Sequence, residues 1–537
     1  MKVAIIGSGM AGLATAYALL ERGITPTILD VGEFLDPKRR AIVTTFHDSP
    51  RASWSETDYS LISQNPTIGK RGLPKKLHFG SDYIYANNRT FAPLKSMVSG
   101  RVPFPTFAKG GFSNIWGGAV LPVNPSDMTD WPIGFQDLEP YFKKVANYLP
   151  ICGGEGTLSR SFPLFKEEPG CLDPGPQGTL LLEDLNRVKN TLFTRNMLYG
   201  KARLSVYTDR FTPDGVLPCV GCGECFVGCV YGSIFSTIPV LSDLIRKNRI
   251  EYRPNTAVRT IREEDGKAIL GTIDVATDSQ YEHSYDAVFV AAGPINSTRI
   301  LLQSKKIYDH SVFMKESQKF VIPLIRKHGA QTAAESPSAT LASVFVEFKV
   351  QELSDHWIHM QVVPMNQMIL DSVKLPGIDH PWGRRLWNPL LRRTMLGWCG
   401  LHSDHSSHVE LRLRRGTDSK ADLLEIDFEV SSHAKNAVRK ATNTLLRNGM
   451  SFDTLFLPWL VRLSNPGSGT HCGGSFPMKK VRDGLFESDI FGRPFDWTSV
   501  FVVDSSVLPS IPGTTLAFTM MANAYRIGSQ APLSSGS

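Results

Sequence analysis

The first thirty residues contain a strand, a glycine-rich turn, a helix and a second strand in that order. Residues 2–6 (KVAII) form an apolar run typical of a buried parallel strand. The sequence GSGMAG at 7–12 follows, then a helical pattern that ends at Gly23, and the strand 26–29 ends at Asp30. This order predicts a Rossmann-like βαβ unit, which binds a dinucleotide at the glycine turn.

The three glycines of the turn have separate roles in such a unit. Gly7 permits the tight turn, Gly9 lets a pyrophosphate approach the backbone, and Gly12 lets the helix pack close to the strand. The start of the helix offers N–H groups and a positive dipole end to phosphates. Asp30, 23 residues after Gly7, can accept hydrogen bonds from ribose hydroxyls. The motif predicts a dinucleotide site but does not distinguish FAD from NAD.

A second kind of sheet is predicted between about 310 and 460. VFVEFKV, WIHMQVV and HVELRLRR alternate apolar and polar residues, which is typical of an antiparallel sheet with one covered face. A helix is predicted at about 433–448. Strands are also predicted at 250–261 and 285–292, and the second of these runs into Gly293 as the expected further wall of the dinucleotide site.

Two stretches give weaker signals. Residues from about 35 to 105 lack strong periodicity and are interpreted as loops and short elements. GGFSNIWGG at 110–118 has four glycines around one tryptophan, which indicates backbone pressed against a flat ligand; a glycine loop capped by a core tryptophan is the alternative. Three histidines in LHSDHSSHVEL are interpreted as a polar loop leading into a strand, with a metal site as the alternative: His402, His405 and His408.

Composition excludes several classes of protein. Hydrophobic residues make up 42% and charged residues 20%, which is compatible with a large core and not with general disorder. A net charge of +7 over 537 residues, without long basic runs, does not indicate nucleic-acid binding. No apolar run reaches the ~18 residues of a spanning helix. A strand that begins almost at Met1 leaves no room for a cleavable signal or a twin-arginine leader.

Four of the eight cysteines fall within eleven residues, in the spacing C-x2-C-x2-C-x3-C: Cys219, Cys222, Cys225 and Cys229. This is the compact spacing of ferredoxin iron–sulfur loops, and the glycines between the cysteines let the chain curl so that thiolates converge. The proline that usually follows the last cysteine is replaced by Val230. We predict an iron–sulfur cluster here. Structural zinc, which usually takes two CxxC pairs set further apart, and free thiols are the alternatives.

Taken in order, the motifs resemble those of the glucose–methanol–choline (GMC) flavin oxidoreductase family. The matching stretches are GSGMAG with Asp30, GGFSNIWGG, DWPIGFQDLEPYF, VFVAAGPINSTRILL, HCGGSFPM and VVDSSVLPSIPGTTLAFTMMANAYRIG. The resemblance implies an α/β fold: a Rossmann-like FAD-binding domain with an inserted α+β substrate domain built on an antiparallel sheet. The implied boundaries are 1–305 for the FAD-binding domain with the cysteine loop 219–229, 306–464 for the substrate domain, and 465–537 for the return to the FAD-binding domain.

The resemblance also assigns residues to the reaction. The family's H-x-x-G-T-x-x-M-G motif matches at the histidine, a glycine and the methionine, so His471 is the implied catalytic residue; the ring titrates near neutrality and can take a hydroxyl proton. The family's second catalytic position is occupied by Thr515, whose hydroxyl can hydrogen-bond a substrate oxygen but is not a base near pH 7. The implied cofactor contacts are Gly7, Gly9, Gly12, Asp30, Gly111, Ser113, Asn114, Trp116, Gly117, Gly118, Val258, Ala292, Gly293 and Asp504.

Two departures refine the resemblance. Some members attach FAD through a histidine just before the tryptophan, where this chain has Ile115, so the FAD is expected to be dissociable. Most members lack a cysteine loop, but a bacterial sugar-dehydrogenase branch holds a three-iron cluster with three cysteines. Cys219, Cys225 and Cys229 resemble that set, and the extra Cys222 leaves a four-iron cluster as the alternative.

The expected activity is oxidation of an alcohol, notably of a sugar or glycoside. Electrons would leave the flavin through the cluster to an external redox protein or quinone. A GMC-type oxidase or epimerase with structural cysteines and a catalytically silent flavoprotein are the alternatives. No nucleic acid and no transmembrane segment are expected. The expected location is the cytoplasm, with co-export to the periplasm on a partner's signal as the alternative.

Overall fold

The computed structural model describes the chain apart from residues 65–75, 86–95, 99–104, 155, 210–211, 337, 373–374, 379, 417–421 and 534–537. The α-helices of the described residues are α1 (Met10–Glu21), α2 (Pro37–His47), α3 (Glu56–Ile62), α4 (Phe135–Tyr148), α5 (Gly175–Arg187), α6 (Lys189–Thr194), α7 (Thr237–Arg246), α8 (Pro294–Ser304), α9 (Gln367–Ser372), α10 (Pro381–Leu391), α11 (Ser432–Gly449) and α12 (Ala517–Gln530). Helices α2 and α3 lie in the segment interpreted as loops and short elements, part of which is outside the described residues.

The strands of the described residues, in chain order, are β1 (Val3–Ile6), β2 (Thr27–Leu29), β3 (Ser96–Val98), β4 (Ile151–Cys152), β5 (Met197–Lys201), β6 (Leu204–Ser205), β7 (Glu251–Arg253), β8 (Thr256–Glu264), β9 (Lys267–Asp274), β10 (Gln280–Tyr285), β11 (Ala287–Val290), β12 (Ser311–Glu316), β13 (Lys319–Arg326), β14 (Val344–Val350), β15 (Ser354–Pro364), β16 (Thr394–Gly400), β17 (His408–Arg414), β18 (Leu423–Phe428), β19 (Thr454–Phe456), β20 (Arg462–Leu463), β21 (Cys472–Gly473) and β22 (Val500–Val502).

A parallel sheet contains the strands on either side of the glycine motif. Its strand order is β22-β11-β1-β2-β7, and all of its pairings are parallel. The strands β1, β11 and β22 are apolar and buried at every position, because helices cover both faces of the sheet. Helix α12 packs against α1, with Gly528 close to Ala18. The two ends of the chain therefore share one core.

The remaining strands form antiparallel sheets for the most part. A meander has the order β10-β9-β8, and two larger sheets have the orders β21-β12-β17-β18-β3 and β19-β13-β16-β15-β14-β5, with β20 also paired to β13. A short pair, β4 with β6, lies apart from them. Within the larger sheets one pair is parallel, β18 with β3. This combination is the α/β class with an antiparallel substrate sheet that the sequence predicts.

One face of the seven-stranded sheet is covered by helices. Val346 and Phe348 of β14 and Met360 of β15 pack in one apolar cluster with Leu185 of α5 and Leu445 of α11. The alternate residues of the same strands point to the opposite face, where Phe345 and Trp357 pack in another apolar cluster with Leu198. Strand β5 comes from residues 197–201, so this sheet takes an edge strand from outside 306–464.

None of the helices that the structure describes is both long enough and apolar enough to cross a bilayer.

Candidate active site

A large cavity opens beside the parallel sheet, at the carboxyl ends of β1, β2 and β11. It has an empty volume of about 1200 Å³, including its open mouth. The carboxyl ends of parallel strands are the usual place for a nucleotide in such sheets. Most of the residues assigned to the site from the sequence line this cavity: Gly7, Gly9, Asp30, Gly111, Ser113, Trp116, Val258, Ala292, Gly293, His471 and Asp504.

The three glycines of the turn differ in the space that surrounds each Cα atom. Gly7 has φ +101°, and a Cβ there would lie 2.6 Å from the carbonyl oxygen of Ala291. A Cβ at Gly12 would lie 2.1 Å from the carbonyl oxygen of Gly7, so Gly12 allows close packing and does not line the cavity. A Cβ at Gly9 would meet nothing within 4 Å. Gly9 caps α1 without a side-chain hydrogen bond, which leaves the first amides of the helix open to a ligand.

Asp30 is buried at the end of β2 and is held by two hydroxyl groups. Ser8 Oγ and Tyr252 OH both donate to its Oδ2, the second over 3.1 Å. Burial raises the pKa of Asp30 to about 6, and these hydrogen bonds oppose that shift. Ser8 also accepts from the backbone N–H of Gly110 at 2.8 Å, which ties the second glycine loop to the first.

The loop 110–118 places Gly111, Ser113 and Trp116 on the cavity wall. The Asn114 side chain instead donates to the carbonyl oxygens of Lys109 and Gly111 at 2.8 and 2.9 Å, so it holds the loop in shape. Two further glycines assigned from the sequence, Gly117 and Gly118, do not line the cavity. Asn114 and these two glycines are therefore part of the loop's own structure and do not form the cavity surface.

The opposite wall comes from the last part of the chain. Asp504 is 2% exposed and accepts hydrogen bonds from Ser297 Oγ and from the backbone and side chain of Ser506. Burial raises the pKa of Asp504 above its usual range. Because its oxygens are already bonded to serines, Asp504 shapes this wall as a buried, hydrogen-bonded acid.

His471 lines the same cavity just before the short strand β21. Its carbonyl oxygen accepts from the backbone N–H of Ser317 at 2.9 Å, whereas its Nδ1 atom is buried without a hydrogen-bond partner. Burial lowers the pKa of His471 well below its usual value, and the positive charge of Lys319 adds to that effect. The ring is therefore neutral near pH 7 and able to accept a proton.

Thr515 is not brought to the cavity surface. Its Oγ1 accepts from the backbone N–H of Leu121 at 2.7 Å and donates to the carbonyl oxygen of the same residue at 3.0 Å. The residue is 1% exposed and is not among those that line the cavity. In this arrangement the hydroxyl fixes the chain at Leu121 and has no donor left for a substrate.

The sequence analysis missed Arg299, which lines the cavity from α8. The side chain is 3% exposed, and its Nε and Nη1 atoms have no hydrogen-bond partner. Burial lowers the pKa of Arg299 to about 10. Its sequence signal is weak: one arginine in an otherwise uncharged helical stretch, NSTRILL.

The cysteine loop lies under a separate small cavity that all four clustered thiols line. Burial raises the pKa of the Cys219 and Cys222 thiols to about 12, and negative charge on Cys225 and Cys229 raises them further. The loop is anchored to α3 through Glu224, whose carboxylate accepts from Tyr59 OH at 2.7 Å. The four thiols thus face one another across a shared, apolar space.

No three of these sulfur atoms lie within 4.8 Å of one another. Among the described residues, the group of three possible metal ligands whose ligand atoms are that close together consists of His356, His402 and Asp404. Tetrahedral zinc holds its thiolates about 3.8 Å apart, given Zn–S bonds of about 2.3 Å. The sulfurs are therefore not gathered as the ligands of a single metal ion would be, and the structure shows no assembled ligand set in this loop.

The histidine-rich stretch forms a turn and the start of a strand, as its interpretation as a polar loop implies. His402 stacks on His356 with ring centroids 3.7 Å apart, and His408 begins β17. The Nδ1 atom of His356 contacts the carbonyl oxygen of Ser126 at 3.0 Å, and its Nε2 atom contacts Asp404 at 3.2 Å. These contacts join the substrate sheet to the segment around residue 126.

Comparisons with known proteins define the class of fold. No family model matches the chain, and no curated protein matches it. Among solved structures, the chain is similar to pyridoxine 4-oxidase from Mesorbium loti, with a TM-score of 0.61, 14% sequence identity and coverage of 99% of each chain. The fold predicted from the sequence is confirmed: it is the GMC oxidoreductase fold, with a Rossmann-like domain and an antiparallel substrate domain.

Proposed function

We propose that this protein is an FAD-dependent dehydrogenase that oxidises the CH–OH group of a small alcohol, notably a sugar or glycoside. Residues 1–305 and 465–537 bind the flavin, and residues 306–464 form the greater part of the substrate domain. The clustered cysteines would hold an iron–sulfur cluster, which would supply one-electron transfer to an external redox protein or quinone. The observation that carries the proposal is a neutral histidine, His471, on the wall of the cavity at the dinucleotide motif.

The residues around the cavity fit FAD. The uncapped start of α1 and the open space over Gly9 suit the pyrophosphate, and Asp30 suits the adenosine ribose. Arg299 has two buried N–H groups without a protein partner, which suits a polar group of the same cofactor. Trp116 and the loop 110–118 supply a surface for a flat ring system. Ile115, in place of the histidine that carries flavin in some members, supports a dissociable FAD.

Replacing Asp30 with asparagine is expected to weaken FAD binding about 10–100-fold, since a hydrogen bond to a charged group contributes about 1.5–3 kcal/mol. The measurement is a fluorescence titration of the flavin-free protein with FAD. Asp355→Asn is a suitable control because Asp355 is exposed on β15, away from the cavity. An Asp30→Asn variant with the wild-type dissociation constant would show that the carboxylate does not contact the cofactor.

His471 performs the proton chemistry in this proposal. FAD, when bound, takes up the hydride of the carbinol carbon. The neutral imidazole of His471 accepts the proton of the substrate hydroxyl, so that the carbon–oxygen bond becomes a carbonyl. Burial keeps this ring unprotonated before the reaction, and the hydrogen bond from Ser317 to the His471 carbonyl oxygen fixes its backbone.

The cysteine loop supports an electron relay by its position. Lys76 donates to the carbonyl oxygen of Trp116 in the flavin loop at 3.4 Å. The pKa of Lys76 is lowered to about 8 by burial, and negative charge on Cys225 and Cys229 opposes the shift, so these groups lie close together. A single lysine thus joins the proposed flavin surface to the cysteine loop. An iron–sulfur cluster, when bound there, supplies transfer of one electron at a time.

The iron is expected to depend on the clustered cysteines. Anaerobically purified protein should contain about three or four iron atoms per chain, and Cys225→Ser should lose most of them while FAD is retained. Cys171→Ser is the matched control because Cys171 is an exposed cysteine outside the loop. Metal analysis of the three proteins is the measurement. Wild-type protein with FAD and without iron would remove the relay from the proposal.

A GMC-type oxidase is the second candidate. Two observations favour it: the similar solved structure is that of an oxidase, pyridoxine 4-oxidase, and the thiols are not gathered around one site. Anaerobic absorption spectra with a panel of sugars and other alcohols test both candidates, because either enzyme bleaches the flavin on reduction. Rapid reoxidation by oxygen would then identify the oxidase. A flavin that no alcohol in the panel bleaches would favour the silent flavoprotein instead.

A further inference from the structure

Four strands of the seven-stranded sheet place a row of positions side by side. Glu347 on β14 is paired with His359 on β15, His359 with Gly400 on β16, and Gly400 with Lys319 on β13. Paired residues on neighbouring strands point to the same face of a sheet. The row therefore presents a carboxyl group, an imidazole and an amine on one face, with a glycine in the third position.

This row lies on the face that the helices leave free. Its neighbours along the strands, Val346 and Phe348 next to Glu347 and Ile358 and Met360 next to His359, all belong to the cluster under α5 and α11. Successive side chains of a strand point to opposite faces, so the row points away from this cluster. Lys319 lies beside the segment that carries His471: a Cβ at Gly469 would lie 2.8 Å from the Cγ atom of Lys319, and the backbone N–H of Ser317 donates to the His471 carbonyl oxygen at 2.9 Å. Burial lowers the pKa of His471, and the charges of Lys319 and His359 lower it further.

Glu347 and His359 form a buried hydrogen-bonded pair. They are 0% and 1% exposed, and Oε1 of the acid contacts Nδ1 of the imidazole. The other nitrogen of His359, Nε2, is buried and has no hydrogen-bond partner. Burial raises the pKa of Glu347 well above its usual range and lowers that of His359 well below its own, so the pair is neutral. In that state Glu347 donates its proton to Nδ1, and Nε2–H is a free donor.

The glycine in the row brings Lys319 next to His359. A Cβ at Gly400 would lie 2.5 Å from the Nζ atom of Lys319, so the amine occupies the space above the glycine. Its hydrogen-bond partner is Ser317 Oγ at 3.0 Å. A larger residue at position 400 would push the amine away from its neighbour on the adjacent strand. The pair of donors, Lys319 Nζ and His359 Nε2, thus depends on a glycine between them.

We propose that Lys319 and His359 are catalytic residues that donate hydrogen bonds to the alcohol oxygen of the substrate while His471 takes its proton. The inference rests on the proposed function. As the O–H bond breaks toward His471 and the hydride leaves for the flavin, negative charge builds on this oxygen until the carbonyl forms. Two donors aimed at that charge lower the barrier. They replace the contact that Thr515 cannot make, because its hydroxyl is bonded to Leu121. Glu347 acts as a positioning residue for His359.

The test is the rate of flavin reduction by an alcohol that bleaches the wild-type flavin, measured without oxygen. Lys319→Met and His359→Leu are each expected to lower the maximal rate about 10²–10³-fold, as loss of one such donor does elsewhere. The substrate concentration at half-maximal rate should change far less, because the donors act on charge that develops in the transition state. Lys327→Met and His328→Asn are matched controls, exposed just beyond the far end of β13.

Conservative variants separate this role from a structural one. Glu347→Gln is expected to keep most of the activity, because its amide still donates to Nδ1 and leaves Nε2–H free. Glu347→Leu should lose most of the activity, because leucine cannot donate a hydrogen bond to Nδ1. FAD content and the unfolding temperature show whether each variant has folded, and Lys319→Arg, which keeps the charge, gives a milder test of the same position.

The outcomes distinguish the two proposals. If no alcohol bleaches the wild-type flavin, the proposed function fails and this inference fails with it. If the wild-type flavin is bleached but folded Lys319→Met and His359→Leu stay within about threefold of its rate, the inference alone is overturned. Equal loss of activity in Glu347→Gln and Glu347→Leu would overturn the assignment of Glu347.

Discussion

Replacing His471 with alanine is expected to lower the rate of flavin reduction by the alcohol substrate about 10²–10⁴-fold, the usual contribution of a positioned general base. FAD should still bind, because the glycine turn and Asp30 are unchanged in this variant. The imidazole is neutral and its Nδ1 is unpartnered, so its removal leaves no other neutral base identified on this wall. Anaerobic stopped-flow absorption of the flavin band is the measurement.

The control for this variant is His310→Asn, because His310 is an exposed histidine between α8 and β12. It should reduce the flavin at the wild-type rate. His471→Ala with full FAD content and a reduction rate within about threefold of wild type would contradict the base assignment. In that case a group other than His471 would have to take the proton.

Substitutions at two glycines of the turn, Gly12 and Gly9, are expected to have different effects. Gly12→Ala should destabilise the fold by about 3 kcal/mol or more, since its Cβ would lie 2.1 Å from the carbonyl oxygen of Gly7 and neither backbone can move freely. Gly9→Ala should leave the flavin-free fold nearly unchanged, because nothing lies within 4 Å of the new Cβ and its φ is −69°. It should nevertheless weaken FAD binding, because the methyl group occupies the approach to the pyrophosphate.

Denaturant unfolding of the flavin-free proteins measures the first effect, and titration with FAD measures the second. Each variant serves as the control for the other, since both add one methyl group to the same turn. Equal destabilisation by the two substitutions would contradict the packing argument. Unchanged FAD affinity in Gly9→Ala would show that the cofactor does not pass over this position.

The parts of the fold that could be predicted are those set by local pattern. The apolar runs and the glycine motif give β1, α1 and β2 nearly to the residue, and the predicted helix at 433–448 corresponds to α11. The segment 250–261 was predicted as one strand, but it is two, β7 and β8. Pro254 lacks an N–H and Asn255 has φ +57°, so the chain turns between them.

The candidate site could be predicted only where a motif marks it. Gly7, Asp30 and His471 belong to motifs, and all three line the cavity. The motif also assigned Thr515 to the site, but a motif does not give the direction of a side chain, and this one points to Leu121.

Other groups of the site have no local signal at all. Lys319 and His359 are forty residues apart and are ordinary members of alternating strands. They become neighbours only through the register of β13, β15 and β16, which depends on the packing of the whole sheet. The alternation that predicts an antiparallel sheet therefore cannot say which polar side chains meet across it.

The parallel sheet joins strands from the two ends of the chain, which the ribosome synthesises at different times. The edge strand β22 and the cavity residues Asp504, Leu516 and Met520 are synthesised near the end of translation, although β1 and the glycine turn come first. At about 5–20 residues per second, the ribosome needs roughly 25–100 s to pass from one to the other. During that time the nascent chain exposes the apolar edge of β11, where chaperones can bind it. The cavity wall can therefore be completed only after the ribosome has passed Met520.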